Sequence, residues 1–217
     1  MASVLLSAAL GLVLALLLNR NFVGQGVTRT LLITPFLIMP AAASLIWKTT
    51  IFDANFGMLN FVLSPFGLVK VDWVSSHAML SMIVLLTWQW TPFMMLILLA
   101  GLQSMPLDVI EAARVDGARD VNIFRYLTLP HLRKFLELSI VLGSIYIFQV
   151  FDPIYIVTSG GPGTATTTLP YYLYQRAFRD FEIGQAAALG VVVVACSIVV
   201  ATFALRLVTS LTEERDQ

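Results

Sequence analysis

Apolar positions in this chain come in long runs, not at the intervals of an amphipathic surface helix. Five runs, about Ala2–Leu18, Leu31–Trp47, His77–Leu102, Phe135–Val157 and Ile183–Val208, reach or approach the roughly 20 residues a helix needs to cross a hydrocarbon core. Long apolar runs without strand-length punctuation do not suit a barrel, so the pattern predicts an all-α, polytopic membrane bundle of about five transmembrane helices in one domain, 1–217. The first run is not preceded by basic residues, and Asn19-Arg20-Asn21 follows where small cleavage-site residues would stand, so it reads as a retained span.

Between the third and fourth runs the pattern inverts. Glu111–Pro130, EAARVDGARDVNIFRYLTLP, is the most polar long segment of the chain. Ser104 can cap a helix, Pro106 suits a first turn and Asp108 complements the positive end of the dipole, which predicts a helix over about Met105–Val115. Asp116-Gly117 supplies a turn, because glycine takes positive φ without a steric cost. A second short helix is expected over Ala118–Leu127, with Pro130 marking its end.

Composition agrees with a membrane protein. Of 217 residues 58% are hydrophobic and 12% charged, against about a quarter charged in soluble domains; mean hydropathy is +0.85. Net charge is formally zero, which gives no footing for nucleic acid. Cys196 is the single cysteine and lies in an apolar run, as a packing residue does. Lys and Arg set the orientation: Arg20, Arg29, Arg114, Arg119, Arg125, Arg133, Lys134, Arg206 and Arg215 fall on one set of connections, Lys48, Lys70, Arg176 and Arg179 on the other. The richer set should be cytoplasmic, with the Glu111–Pro130 segment and C-terminus inside and the N-terminus outside.

Several polar residues stand out against the apolar background. Gln89, mid-span in Trp88-Gln89-Trp90-Thr91-Pro92, must be hydrogen-bonded, facing either substrate or a neighbouring helix. Gln149, Asp152 and Tyr155 recur every three residues and would share a helix face; amide, carboxylate and ring together suit a polyhydroxylated ligand, while hydration at the interface would equally account for Asp152. Pro35 and Pro40 should kink the second span, either to line a cavity or to improve packing. His77 reads as interfacial. His131 has no His, Cys or acidic residue at a metal spacing and reads as surface polar; no metal site is expected. Connections at about 48–76 and 159–182 carry the aromatic and turn residues of interfacial loops, and the tail Thr212–Gln217 is short and charged.

The spacing Glu111-Ala112-Ala113, Gly117, Leu127, Leu129-Pro130 resembles the EAA loop of binding-protein-dependent ABC importer permeases, with Leu127 where that family usually has Ile. The glycine-rich Thr158–Gly163 block, Thr164–Leu169, the Tyr171–Phe178 segment and Phe181–Gly184 are together similar to the external loop of its carbohydrate-type members. The resemblance implies a type I importer permease fold and a coupling loop over about 103–134, with Glu111, Ala112, Ala113, Asp116, Gly117, Leu127, Leu129 and Pro130 meeting an ATPase. It implies as partners two ATPase subunits or a homodimer of them, a second permease, an external solute-binding protein and membrane lipid. The location would be a bacterial or archaeal cytoplasmic membrane and the cargo a sugar, polyol or related carbohydrate. Members commonly carry an additional N-terminal helix. The glycines here lack a Gly-Lys-Ser/Thr ending, so this chain should bind no cofactor itself, with ATP and Mg held by the partner ATPases. An ATPase-independent secondary transporter or channel is the other class to weigh; it predicts intramembrane coupling acids or an inverted repeat, and only Asp152 stands near a membrane edge.

Overall fold

The computed structural model describes residues 1–20, 22–66 and 71–213, among which every regular element is helical. In order these are α1 (Ala2–Leu18), α2 (Gln25–Leu37), α3 (Pro40–Ile46), α4 (Met58–Leu63), α5 (Trp73–Ser76), α6 (Ala78–Gln103), α7 (Leu107–Val115), α8 (Asp120–Ile123), α9 (Leu129–Phe148), α10 (Leu169–Tyr174) and α11 (Ile183–Glu213). Lys70 and Arg215 of the charge comparison, and the end of the charged tail, lie outside the described residues.

The helix α6 is the axis of the bundle because it is apolar on every side, the signature of a helix surrounded by others; α1, α2 and α9 pack around it. Its N-terminal half joins Trp47, Phe52, Val150, Ile154 and Tyr171 in one buried cluster, and its C-terminal half joins Ala15, Leu18 and Leu132 in another. Pro92 removes one backbone donor within α6, and the Thr91 hydroxyl, 2.6 Å from the Thr87 carbonyl, bonds beside the gap. The contact with α1 rests on small residues: Ser3, Ser7, Gly11 and Ala15 recur every four positions, all buried. A Cβ built at Gly11 would stand 2.9 Å from the backbone nitrogen of Met95 and 3.3 Å from the carbonyl carbon of Met94, atoms that cannot swing away. Close approach of this kind is how membrane helices gain packing energy. Gly11→Leu should therefore part α1 from α6, at a cost of about 1–3 kcal/mol or more for overpacking. A lower apparent Tm in detergent, with cleavage near Asn19–Asn21 by added protease, checks it; an unchanged Tm would mean the two helices are not held by this contact.

Two of the expected spans are broken. The second is divided between α2 and the segment Pro40–Ile51, α3 with the π-helical turn that follows it, and the two differ in direction by 96°. Ile38 and Met39 are extended (ψ 132° and 130°), since proline pushes the residue before it out of the α region, and Pro40 then opens α3. The fourth starts earlier than expected, at Leu129, and ends at Phe148. Pro153 cannot donate to the Gln149 carbonyl, and the chain restarts as a short helical segment with a π-helical turn over Ile154–Thr158. By length and apolar composition α6 and Ile183–Val200 each suffice to cross a membrane, and the bent α2–α3 pair counts as a third if taken as one span. The two differ in place: 61% of the α6 window is buried within the chain but only 6% of the α11 window, so α11 is peripheral and presents its apolar surface outward.

The described residues on either side of 67–70, 53–66 and 71–76, are held together by side-chain hydrogen bonds. Asp53 accepts the backbone N–H groups of Asn55 and Phe56 at 2.8 and 2.9 Å, Asn60 donates to the Val71 carbonyl and accepts from Trp73 Nε1, and Asp72 caps α5 through Ser75 N–H. The two N–H donors, Phe56 first, hold the Asp53 carboxyl below its ordinary value of 3.8. A depressed carboxylate stabilises the fold above its unfolded value and loses that contribution as pH falls through the folded one. Amide protection at Asn55 and Phe56 should thus persist down to about 3.8 and fade below it, and Asp53→Ala should remove it at every pH; protection indifferent to both changes would refute the role of this turn.

Candidate functional site

The polar segment after α6 forms a projecting element. Ser104 ends α6 and does not open α7: its hydroxyl donates to the Gly101 carbonyl at 2.9 Å. Pro106 (ψ 128°) holds the N-cap position, and α7 begins at Leu107, two residues later than the sequence predicts. Asp108 in the first turn and Arg114 in the last complement the dipole. The end of α7 is a Schellman motif. Ala118 N–H bonds the Ala113 carbonyl at 2.9 Å and Gly117 N–H bonds the Arg114 carbonyl at 3.0 Å. That geometry requires the left-handed φ of +82° found at Gly117.

Past the bend, Asp120–Ile123 runs into a π-helical turn, Phe124–Thr128, and then directly into α9. Pro130 does not end this helix. The wider turn closes with Leu129 N–H on the Phe124 carbonyl, and Pro130 takes a first-turn position of α9, where no donor is required. The second helix of the segment is therefore the leading end of α9.

Glu111, Ala112, Asp116, Gly117, Leu129 and Pro130 are exposed, and Ala113 and Leu127 half-buried. Val115 is 88% exposed, Val121 74% and Leu107 70%, and α7 buries none of its residues. The surface mixes these exposed apolar side chains with exposed charges, Asp108, Glu111, Arg114, Asp116, Arg119, Asp120 and Arg125; Arg114 and Asp120 stand 3.7 Å apart in solvent, a pair of little energetic weight.

The other polar residues fall in separate places. Gln89 is buried (4% exposed), its amide 3.5 Å from the Ile38 carbonyl at the α2–α3 break. Gln149, exposed, lines a cleft of about 540 Å³ with Ile145, Pro170, Val194 and Ser197. Asp152 and Tyr155 lie beyond the break that follows Gln149, so the expected common helix face is interrupted and neither lines that cleft. Tyr155 instead packs among Phe151, Tyr171 and Tyr174 at ring separations of 5.2 to 6.3 Å. His131 is not a free surface residue: its Nε2 lies 3.1 Å from both the Gly101 carbonyl and Ser104 Oγ. His77 stacks near Trp73, and among the described residues no three His, Cys, Asp or Glu side chains cluster as metal ligands would.

The structure also assembles a group that sequence reasoning missed. Trp90 and Tyr146 stack 5.2 Å apart with planes 19° from parallel, and Phe93 and Phe36 close the cluster at 5.3 to 5.9 Å. It joins α2, α6 and α9 halfway along α6. Tyr146 remains 50% exposed. Trp90 and Phe93, three apart in a helix, were the only local signal.

This arrangement of an apolar bundle with a protruding helix–bend–helix can be set beside known proteins. Residues 7–213 match the family described as "Binding-protein-dependent transport system inner membrane component". The chain belongs to that family. As a member of this transport-component family it is 42% identical over 188 residues to a probable ABC transporter permease protein, y4oQ, of Sinorhizobium fredii, covering 86% of this chain and 60% of that protein. It is 36% identical over 190 residues to the trehalose/maltose transport system permease protein MalF of Thermococcus litoralis, covering 86% and 64%. The fold matches the crystal structure of a bacterial ABC transporter involved in the import of the acidic polysaccharide alginate, with a TM-score of 0.78 at 22% identity over 97% of this chain and 78% of that one. This inner membrane component thus spans about three fifths of the length of the curated relatives it matches first.

Proposed function

We propose that this chain is the membrane-spanning permease subunit of an ATP-driven importer and forms, with a second permease, the path for a sugar, polyol or related carbohydrate. The observation that carries the reading is the Leu107–Pro130 element: exposed apolar side chains on a rod that bends at Gly117 and continues unbroken into α9. Such a surface, costly to leave in water, is suited to the cleft of an ATPase subunit. Two such subunits would hold ATP and Mg, leaving this chain without a nucleotide of its own. The distribution of Lys and Arg supports placing the element and the C-terminus on the cytoplasmic side of a bacterial or archaeal inner membrane, with the Lys48 and Arg176 loops facing an external solute-binding protein.

In this mechanism ATP-driven closure of the two ATPases displaces Glu111–Pro130, rotates α9 and switches the cavity between openings. ATP must favour one orientation over the other, or no shift results. The half-exposed ring of Tyr146, stacked on the partly buried Trp90, offers a flat apolar face on which the C–H side of a carbohydrate stacks, and names of relatives such as trehalose/maltose and sn-glycerol-3-phosphate permeases support a polyhydroxylated cargo.

The test is gentle purification from the native membrane followed by mass spectrometry. An ATPase and a second permease should come with the chain, crosslinked to it through Val115→Cys or Val121→Cys. Recovery of the chain without an ATPase, even after crosslinking, would instead support a secondary transporter or channel.

A further inference from the structure

Where the coupling element leaves the bundle, α6 and α9 run side by side at a narrow neck. An α-helix leaves its last carbonyls without intrahelical donors, and at the end of α6 the Gly101 carbonyl is one of them, because Met105 N–H turns to Leu102 instead. Two side chains fill the vacancy. Ser104 donates to the Gly101 carbonyl from the same helix at 2.9 Å, and His131 reaches across from the first turn of α9, its Nε2 3.1 Å from that carbonyl and 3.1 Å from Ser104 Oγ. One Nε2–H shared between the carbonyl and the hydroxyl oxygen, with the serine proton on the carbonyl, satisfies the network in a single assignment. Beside it the helices touch: a Cβ at Gly101 would meet the Phe135 ring at 2.6 Å and Leu132 at 3.1 Å. His131 directly follows Pro130, so the polar contacts of His131 Nε2 with Gly101 and Ser104, which link the end of α6 to the first turn of α9, sit at the base of the moving element.

We propose that His131 is a positioning residue for transport: it fastens the leading end of α9 to the end of α6, so that displacement of the Leu107–Pro130 element reaches both helices together. This rests on the coupling role proposed above. The α9 helix would feel that displacement directly, being continuous with the element; α6, which carries Gln89, Trp90 and Phe93, is joined to α7 only through the non-helical Met105-Pro106 and needs the His131 bond to follow in step with α9. Leu132, Phe135 and Gly101 keep the helices in contact without the bond, but apolar contact permits sliding, whereas a hydrogen bond to a fixed carbonyl sets a register.

The test uses the assembled complex in lipid nanodiscs, with Cys196→Ser and spin labels on Leu80→Cys, at the far end of α6, and Ile183→Cys, at the start of α11. The distance between labels is read without nucleotide and with ATP and vanadate. The parent complex should retain its ATPase and shift its distance on nucleotide. His131→Gln, whose amide nitrogen reaches about as far as Nε2, should keep the shift; His131→Asn, whose amide stops near the Nδ1 position, and His131→Leu should lose at least half of it, with ATPase retention and apparent Tm unchanged. A full shift in His131→Leu overturns the proposal, and so does equal loss in Gln and Asn variants accompanied by a fallen Tm, which would mark His131 as packing alone. A parent complex with no bound ATPase and no shift would remove the coupling reading itself, and this inference with it.

Discussion

Gly117→Val is expected to abolish most ATP-driven uptake while leaving the protein folded, inserted and as abundant as before. Gly117 holds φ at +82°, the value the Schellman motif demands, and a residue with a Cβ pays about 1–2 kcal/mol there, a β-branched one more. About 1.4 kcal/mol is a factor of ten in population, so the bent, dockable form of the element should fall by about tenfold or more. The cost is confined to the turn, since beyond the adjoining residues no heavy atom lies within 4 Å of the position the new Cβ would take. A series sharpens the result: Asn, which tolerates the left-handed region, should be mildest, Ala intermediate and Val worst. Uptake measured against ATPase retained on the purified complex gives the readout. Full uptake by the Val variant, or loss of uptake that follows side-chain volume and not φ, would exclude the bend as the coupling feature.

That glycine was legible because its constraint is local: positive φ next to Asp116 needs no knowledge of the rest of the chain. The all-round apolar run of α6 was legible for the same reason. What failed were signals with two readings. Pro130 looks alike as the end of one helix or the first turn of the next, and the difference lies in whether Leu129 N–H bonds four or five residues back. Ser104 could cap the helix behind or ahead, and Gly101 and His131 drew it backward.

Pro35 and Pro40 announced disturbance, but a kink and a 96° break differ only in what the severed ends find to pack on. Here α3 and its following π-turn settle against Ile154–Thr158, where Lys48 Nζ donates to the Ile156 carbonyl at 2.7 Å across 108 residues of sequence. No local pattern encodes that distance. The interrupted face of Gln149, Asp152 and Tyr155 has a similar source: α9 ends at Phe148 and Pro153 stands at the start of the next helical segment, so the three residues do not share one helix.

Tyr146→Ala should raise the KM for the transported solute by about tenfold, close to the 1.4 kcal/mol that one such ring can supply through stacking, with little change in Tm. Tyr146 is half exposed, so its removal leaves no sealed cavity. Trp90→Ala should differ. That ring is wedged among Phe36, Phe93 and Tyr146, so its loss should weaken binding and also loosen α6 from α9, at a cost of about 2–4 kcal/mol. Tyr146→Phe keeps the ring and should keep the KM, unless the hydroxyl itself bonds the solute. The contrast between the two alanine variants is what assigns the cluster to the path: a purely structural cluster would lower Tm in both and change KM in neither. The rival route is the cleft beside Gln149, in which case Gln149→Leu would raise KM and Tyr146→Ala would not. Gln89→Leu separates a third possibility, because an amide engaged with the Ile38 carbonyl should cost stability on removal and leave the KM where it was. Under the proposed function, that outcome would assign solute recognition to the Trp90–Tyr146 rings and leave Gln89 to tie α6 to the α2–α3 break.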